Sequence, residues 1–229
     1  MTLQSEYRWR SRYNLVVFIS KSHEDLELDS ATLFLAVNIL DRYSSRRLVK
    51  RCHRELLGGV ALVVASKYIN RSNAASSIRQ AKRLFHGYDV SDVVHMEKIV
   101  LMTLDYLVGF PSVMGFMQVE LLECEPLEMF QDMVFYICEL TLFFPEFISK
   151  PSILIARTAV ELSNRILGKS PEAGSAAGIG ALEHQSLRRW MLKRLLRPPP
   201  LLFSKYARWE KFCVALTVQR YLQGCNLSR

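Results

Sequence analysis

The chain has 229 residues, half of them hydrophobic, and a formal net charge of +8. Its longest uncharged apolar run, Leu56 to Ser66, is eleven residues long, well short of the ~18 that span a bilayer, and the apolar patch near the N-terminus is too interrupted for a signal peptide. We therefore expect a soluble, intracellular protein of the nucleus or cytoplasm. The basic charge permits nucleic acid, a membrane surface or an acidic protein as a partner, without choosing among them.

In the first half, apolar residues recur at spacings of three and four, which predicts helices rather than strands. The run from Leu56 to Ala65 is apolar almost all round, so we expect it to be the central helix of a bundle. Ser30 is the predicted N-cap of the helix before it. The helices predicted in this half are, in order, 7–21, 31–43, 56–67, a short one that ends at Gly87, and 89–106.

Gly109 and Pro111 mark a linker, and we place two domains at 1–108 and 109–229. The second half aligns with the first at an offset of about 100 residues, which indicates a repeated helical unit. The predicted fold is thus all-α, with two bundles of about five helices each, and Ile153 to Leu162 is the expected central helix of the second. The helices predicted in this half are, in order, 112–123, 126–144, 152–167, 186–197 and 204–222, with a flexible loop at 168–181.

The sequence carries no signature of catalysis or metal binding. The five cysteines show neither CxxC nor Cys/His ligand spacing, which indicates reduced thiols that pack as small hydrophobes. Gly168-Lys169-Ser170 imitates the end of a phosphate-binding loop, but Ser163 stands where the motif needs its first glycine. The histidines form no HExxH pair, and no GxSxG turn is present. We therefore predict a protein that is not an enzyme and holds no cofactor.

Two basic clusters have two interpretations. Each fits the polar face of an amphipathic helix, and binding to nucleic acid is the alternative. The first cluster contains Arg46, Arg47, Lys50 and Arg51, and the second contains Arg188, Arg189, Lys193 and Arg194.

Three stretches of the first half, LFLAVNILDRY, VALVVASKY and HMEKIVLMTLDYLVGFP, strongly resemble the first cyclin box of A/B-type cyclins. A segment of the second half, FPEFISKPSILIARTAVELS, extends the resemblance. In that family the box is marked by an arginine, an aspartate, an alanine, a lysine and a glutamate on successive helices. The matching positions here are Arg12, Asp41, Ala65, Lys67 and Glu97.

Arg12 and Asp41 lie on otherwise apolar helices, and because a buried charge needs a partner, we expect them to form one internal ion pair. The resemblance implies that Lys67 and Glu97 face a kinase, where Lys67 bonds backbone groups around the kinase helix C and Glu97 steadies it. It also implies apolar contact with the kinase from the side chains of Tyr68, Leu101 and Tyr106.

The resemblance has departures. Many cyclins bind substrates that carry an arginine and a leucine through a hydrophobic patch, whose matching positions here are Ser11, Asn14, Leu15, Phe18, Lys21 and Glu55. Lys21 stands where the family has a glutamate, so we expect such peptides to bind poorly. Ile69 and Asn70 replace two glutamates of many cyclins, which leaves the choice of kinase open. The chain begins almost at the first box helix, so we expect it to lack the N-terminal extension of mitotic cyclins.

The resemblance implies a regulatory subunit that binds and activates a cyclin-dependent protein kinase by positioning its helix C, and so controls cell-cycle progression. Kinase substrates or inhibitors are further partners in this interpretation. The alternative is a cyclin-fold module that binds nucleic acid or a transcription factor through the basic helix at 186–197. Dependence on Lys67 and Glu97 favours the first, and steep salt sensitivity favours the second.

Overall fold

The computed structural model describes residues 3–70, 82–122, 127–169 and 181–224. Within these ranges every regular element is an α-helix or a short 3-10 turn, which confirms the predicted all-α class. The chain divides into two compact units, 1–112 and 113–229. The α-helices described in the first unit are α1 (Leu3–Asp25), α2 (Ser30–Arg46), α3 (Arg54–Ile69) and α4 (Val90–Thr103). Those in the second are α5 (Val113–Leu122), α6 (Glu128–Leu142), α7 (Ser152–Ile166), α8 (Ala181–Leu195), α9 (Pro200–Tyr206) and α10 (Val214–Gly224).

Helix α3 is the centre of the first unit, as predicted. Every residue from Leu56 to Ser66 is buried, and the helix packs against α1, α2 and α4. Small residues permit this close packing. A Cβ added at Gly58 would lie 3.1 Å from the Phe18 ring, and one added at Gly59 would lie 2.8 Å from the Phe85 ring. The absence of a polar face on this helix therefore follows from neighbours on several sides.

The beginning of α2 differs from the prediction. Asp29, rather than Ser30, is the N-cap: its backbone is extended, and its carboxylate accepts a 2.7 Å hydrogen bond from the Ala31 amide. Ser30 is the first helical residue. Aspartate and serine are both good N-caps, so an Asp-Ser pair does not show by itself which residue caps the helix.

In the second unit, the predicted central helix is wrong. Ten of the fifteen residues of α6 are buried, and this helix packs against α5, α7, α8, α9 and α10. Helix α7, which contains 153–162, buries one face only. Its other face carries Arg157, which donates to Glu120 at 2.7 Å, and Glu161, which pairs with Arg188 at 3.0 Å. These charged residues make α7 amphipathic and leave the central position to α6.

The last predicted helix, 204–222, is also wrong, because two helices occupy this region. Helix α9 begins at Pro200, whose fixed φ suits a first helical turn, and ends at Tyr206. Phe212 and Cys213 then adopt left-handed backbone angles, each with φ +50°, before α10 begins at Val214. Neither glycine nor proline marks this break.

Candidate functional site

Lys67 and Glu97 meet at one edge of the first unit. Lys67 lies in the last turn of α3 and Glu97 near the middle of α4, and the Lys67 Nζ atom is 2.6 Å from Glu97 Oε1. The side chains keep 33% and 22% of their surface exposed, respectively. The preceding residue, Ser66, is buried. The pair therefore stands where α3 leaves the core, within reach of another molecule.

The three predicted apolar contact residues lie along the same edge. Leu101 follows Glu97 by one helical turn, and its carbonyl accepts a 2.9 Å hydrogen bond from the Tyr106 amide. Tyr68 packs on the segment after α4 so closely that a Cβ at Gly109 would collide with its hydroxyl. Tyr68 and Tyr106 are exposed and Leu101 is partly exposed. An ion pair, a backbone hydrogen bond and neighbouring positions along the chain and the helix thus connect all five predicted residues, and we call them the Lys67 surface.

Two arginines of α2 hold the end of α4. Arg42 Nη2 donates to the Leu107 carbonyl at 2.7 Å, and Arg46 Nη1 donates to the Thr103 carbonyl and pairs with Asp105 at 2.8 Å. Burial, and then the neighbouring Arg46, lower the pKa of Arg42. Sequence reasoning missed this role and placed Arg46 in a basic cluster. The available signal was the set of unpaired carbonyls at every helix C-terminus, which basic side chains can satisfy.

The turn that these arginines hold contains an unusual backbone. Asp105 and Tyr106 have φ values of +54° and +57°, in the left-handed region that bulky side chains rarely adopt. Tyr106 is nevertheless 65% exposed, so packing in the core does not explain its conformation. Backbone strain of this kind concentrates at functional sites.

Arg12 and Asp41 form a bidentate pair between α1 and α2. Arg12 Nε donates to Asp41 Oδ1 at 2.6 Å, and Arg12 Nη2 donates to Oδ2 at 2.8 Å. The side chains are only 11% and 18% exposed. Two parallel hydrogen bonds fix orientation as well as distance, so this pair sets how α1 lies on α2 and belongs to the structure rather than to the binding edge.

The predicted substrate-docking patch forms a cleft of about 720 Å³. Five of its six predicted residues line the cleft, namely Ser11, Asn14, Leu15, Phe18 and Glu55. The sixth, Lys21, is exposed and lies outside the lining, nearly one turn of α1 beyond Phe18. Sequence reasoning missed four lining residues, Arg51, Cys52, Arg54 and Tyr88, because three belong to the connector before α3 and its first turn, and the fourth follows Gly87.

Two of the four residues in the second basic cluster form ion pairs with carboxylates of their own unit. Arg188 Nη1 pairs with Glu161 at 3.0 Å, and Arg194 Nε pairs with Glu146 at 2.5 Å. Arg189 and Lys193 are exposed on α8. The charges left for a nucleic-acid backbone are therefore fewer than the sequence indicated.

Two features are absent from the part of the chain that the structure describes. No group of three or more His, Cys, Asp or Glu side chains in those ranges is arranged to hold a metal ion. None of the helices described is both long enough and apolar enough to cross a membrane.

Comparison with protein families gives a direct match. Residues 1–109 match the family model for the cyclin N-terminal domain, a range that contains the Lys67 surface, the Arg12–Asp41 pair and the cleft. Residues 1–109 belong to the cyclin family. The expectation drawn from the five box residues is thereby confirmed at the level of the family, and the divergent cyclin box resembles those of G1/S and B-type relatives.

Three relatives illustrate the similarity. The G1/S-specific cyclin CCN1 of Candida albicans is 30% identical, over 72% of this chain and 27% of its own length. The G2/mitotic-specific cyclin-B of Emericella nidulans is 29% identical, over 95% of this chain and 46% of its own length. The G2/mitotic-specific cyclin cig2 of Schizosaccharomyces pombe is 31% identical, over 75% of this chain and 41% of its own length. The chain thus spans less than half the length of each.

Proposed function

We propose that this chain is a regulatory subunit that binds and activates a cyclin-dependent protein kinase, and that the Lys67 surface contacts the kinase around its helix C. One observation carries the proposal: Lys67 and Glu97 form a partly exposed ion pair beside Tyr68, Leu101 and Tyr106. Membership of the cyclin family supports it.

The chemistry of the ion pair suits the recognition of backbone groups. An ammonium group has three N–H donors, and one of those on Lys67 points to Glu97. The others are available for carbonyls of a partner, while Glu97 Oε2 is available for a donor. Because Glu97 already fixes the position of Lys67, less side-chain freedom is lost when a partner binds.

The apolar part of the surface supplies the area that a stable contact needs. Tyrosine buries a large ring at little entropic cost and is enriched among residues that dominate interface energies. Tyr68 follows Lys67 directly in the chain, and the Tyr106 amide donates to the carbonyl of Leu101, one helical turn after Glu97. In this proposal the partner covers both rings and removes the ion pair from water. When both charged groups are hydrogen-bonded, removing water from around them strengthens those hydrogen bonds.

The effect on the kinase is allosteric. Kinase catalysis requires an ion pair between a strand lysine and a glutamate of helix C, and the position of helix C controls it. A subunit that binds only the inward position of helix C shifts the equilibrium toward it by its difference in affinity. The Lys67 surface contributes no atom to the reaction.

In this proposal the complex acts in cell-cycle progression, in the nucleus or cytoplasm. The phase of the cell cycle stays open, because the relatives carry both G1/S and G2/mitotic names.

Retention of a kinase from a cell lysate tests the proposal. The tagged chain is incubated with lysate in moderate salt, and the retained fraction is assayed for a cyclin-dependent kinase and for its activity on a protein substrate. Lys67→Ala should lose most of the kinase. Lys98→Ala is the matched control, because Lys98 is an exposed lysine on α4 next to Glu97. Equal retention by the two variants would contradict the role of the Lys67 surface.

The same experiment detects the alternative function. Arg189 and Lys193 remain exposed on α8, and a nucleic-acid module would retain nucleic acid through them. Such binding would fall steeply as salt rises and would persist in Lys67→Ala. Retention of nucleic acid without a kinase would therefore replace the proposed function.

A further inference from the structure

The cleft on the first unit has two walls of different chemistry. One wall comes from a face of α1, with Ser11, Asn14, Leu15 and Phe18. The other comes from the 3-10 turn Arg51–His53, the first turn of α3 and Tyr88. The volume of about 720 Å³ is typical of a site for a ligand of small-molecule or short-peptide size.

The apolar part of the cleft is held in place by contacts of its own. The Phe18 ring packs on the α3 backbone at Gly58, where an added Cβ would lie 3.1 Å from it. The Tyr88 hydroxyl donates to the Cys52 carbonyl at 3.1 Å, which fixes the ring on the opposite wall. Leu15 is buried at the base of the α1 wall. A ligand with one or two apolar side chains would therefore find rigid partners.

The rim of the cleft is positively charged. Arg51 and Arg54 line it, and Glu55 is the one carboxylate among the lining residues. The connector from Arg46 to Arg54 contains five Arg or Lys residues and no Asp or Glu. Of these, Arg46, Arg47, Lys50 and Arg51 are exposed, and Arg46 pairs with Asp105. Arg51 lines the cleft and Lys50 precedes it in the chain, while Lys21 is exposed on α1 three residues after Phe18. This arrangement attracts a negatively charged ligand and opposes a positively charged one.

We infer that this cleft binds an acidic peptide segment, in which one or two apolar side chains are flanked by Asp or Glu. The apolar side chains enter between Phe18 and Tyr88, and the carboxylates pair with Arg51 and its neighbours. The observations favour a peptide over nucleic acid, because Leu15, Phe18 and Tyr88 give the lining an apolar part that suits apolar side chains. This inference goes beyond the proposed function, since it concerns a different surface and requires no kinase.

Binding of synthetic decapeptides to the isolated chain tests the inference. Three fluorescent decapeptides share a leucine and a phenylalanine, and their four flanking residues are all glutamate, all glutamine or all arginine. The acidic peptide should bind at least about tenfold more tightly than the neutral one, and the arginine peptide should bind most weakly. Equal affinity of the acidic and neutral peptides would overturn the inference.

Two variants and one control assign the binding to the cleft. Arg51→Glu and Asn14→Glu change exposed residues, and each should weaken acidic-peptide binding about tenfold or more. Arg189→Glu makes the same change in net charge on α8 as Arg51→Glu and should leave the affinity unchanged. Circular dichroism shows that each variant is folded. An equal loss in Arg189→Glu would mean general attraction to a basic protein and would refute a specific site.

The alkylation rate of Cys52 reports whether a ligand covers the cleft, because Cys52 is exposed and lines it. Saturating acidic peptide should slow the alkylation of Cys52, measured by mass spectrometry, about fivefold or more. Cys213 lies outside the cleft and is the internal reference. Unchanged alkylation of Cys52 at saturation would place the peptide elsewhere. Stronger protection by a single-stranded oligonucleotide than by the peptide would replace the peptide with nucleic acid.

Discussion

At the scale of single residues, the Arg12–Asp41 pair shows what a charge does inside an apolar interface. Its two hydrogen bonds, of 2.6 and 2.8 Å, join α1 to α2 where the side chains are mostly buried. Removal of one member of a buried pair leaves the other without compensation for its lost hydration. The pair therefore matters to stability mainly through the penalty for breaking it.

Asp41→Ala should lower the free energy of unfolding by about 3 kcal/mol, at the lower end of the range for a broken buried pair. Urea denaturation measures the change. Glu183→Ala is the control, because it removes the carboxylate of the more exposed Lys150–Glu183 pair, and its cost should be below about 1 kcal/mol. Equal, small losses in the two variants would show that the Arg12–Asp41 pair behaves as a surface pair.

Sequence reasoning identified Asp41 but missed Glu139, for a physical reason. Asp41 directly follows the apolar residues Ile39 and Leu40 in the sequence, and both Asp41 and Arg12 match positions that mark the cyclin box. Glu139 is 2% exposed and accepts 2.8 Å hydrogen bonds from Lys205 and the Tyr206 hydroxyl. Burial, followed by the nearby Glu139 carboxylate, raises the pKa of Tyr206. These partners lie more than sixty residues away in sequence, and only the fold brings them together.

At the scale of elements, the packing of α3 explains its composition. Gly59 lies where the Phe85 ring approaches the helix within 2.8 Å of an added Cβ. Glycine costs a helix roughly 1 kcal/mol relative to alanine. The close approach of the Phe85 ring, rather than helix propensity, therefore explains why this helix has a glycine at position 59.

Gly59→Ala should lower the free energy of unfolding by about 1–2 kcal/mol, because the cost of overpacking exceeds the gain in helix propensity. Gly224→Ala is the matched control at the end of α10, where an added Cβ meets no atom within 4 Å. This control should keep or slightly raise the stability. Chemical denaturation of both variants measures the effect, and a stabilised Gly59→Ala would mean that the Phe85 ring moves aside freely.

The turn after α4 separates folding from binding. Tyr106 has a φ of +57°, which glycine adopts without strain. Tyr106→Gly should therefore keep the free energy of unfolding or raise it by up to about 1 kcal/mol, while kinase binding weakens because an exposed aromatic ring is lost. Thermal unfolding and a binding titration measure the two quantities. A clear loss of stability would show that the Tyr106 ring serves the fold.

The predictions for the elements succeeded where the pattern was local. The eleven-residue run from Leu56 to Ser66 is apolar on every side, and this pattern alone indicated a central helix. The choice of α7 over α6 failed because Asp132 and Glu139 make α6 look less buried than it is. Their cations, Lys211 and Lys205, come from distant segments. The prediction of one helix over 204–222 failed because Phe212 and Cys213 adopt left-handed backbone angles without a glycine.

At the scale of the whole molecule, both surfaces of functional interest lie on the first unit, within the residues that match the cyclin N-terminal domain. The positions of the Lys67 surface could be predicted because they follow the family pattern. The basic rim of the cleft could not, because it depends on how the connector from Arg46 to Arg54 folds beside α1. Sequence similarity thus located the Lys67 surface and five residues of the cleft, and the structure added the four residues Arg51, Cys52, Arg54 and Tyr88 to the lining.

The central claim is that Lys67 and Glu97 act together in holding a kinase. A double-mutant cycle, with binding to the retained cyclin-dependent kinase measured by calorimetry, tests it most directly. Lys67→Ala and Glu97→Ala should each weaken binding by about 2–5 kcal/mol, and the double variant should lose clearly less than the sum, since both residues serve one contact. Additive losses, or undiminished binding by the double variant, would contradict the account.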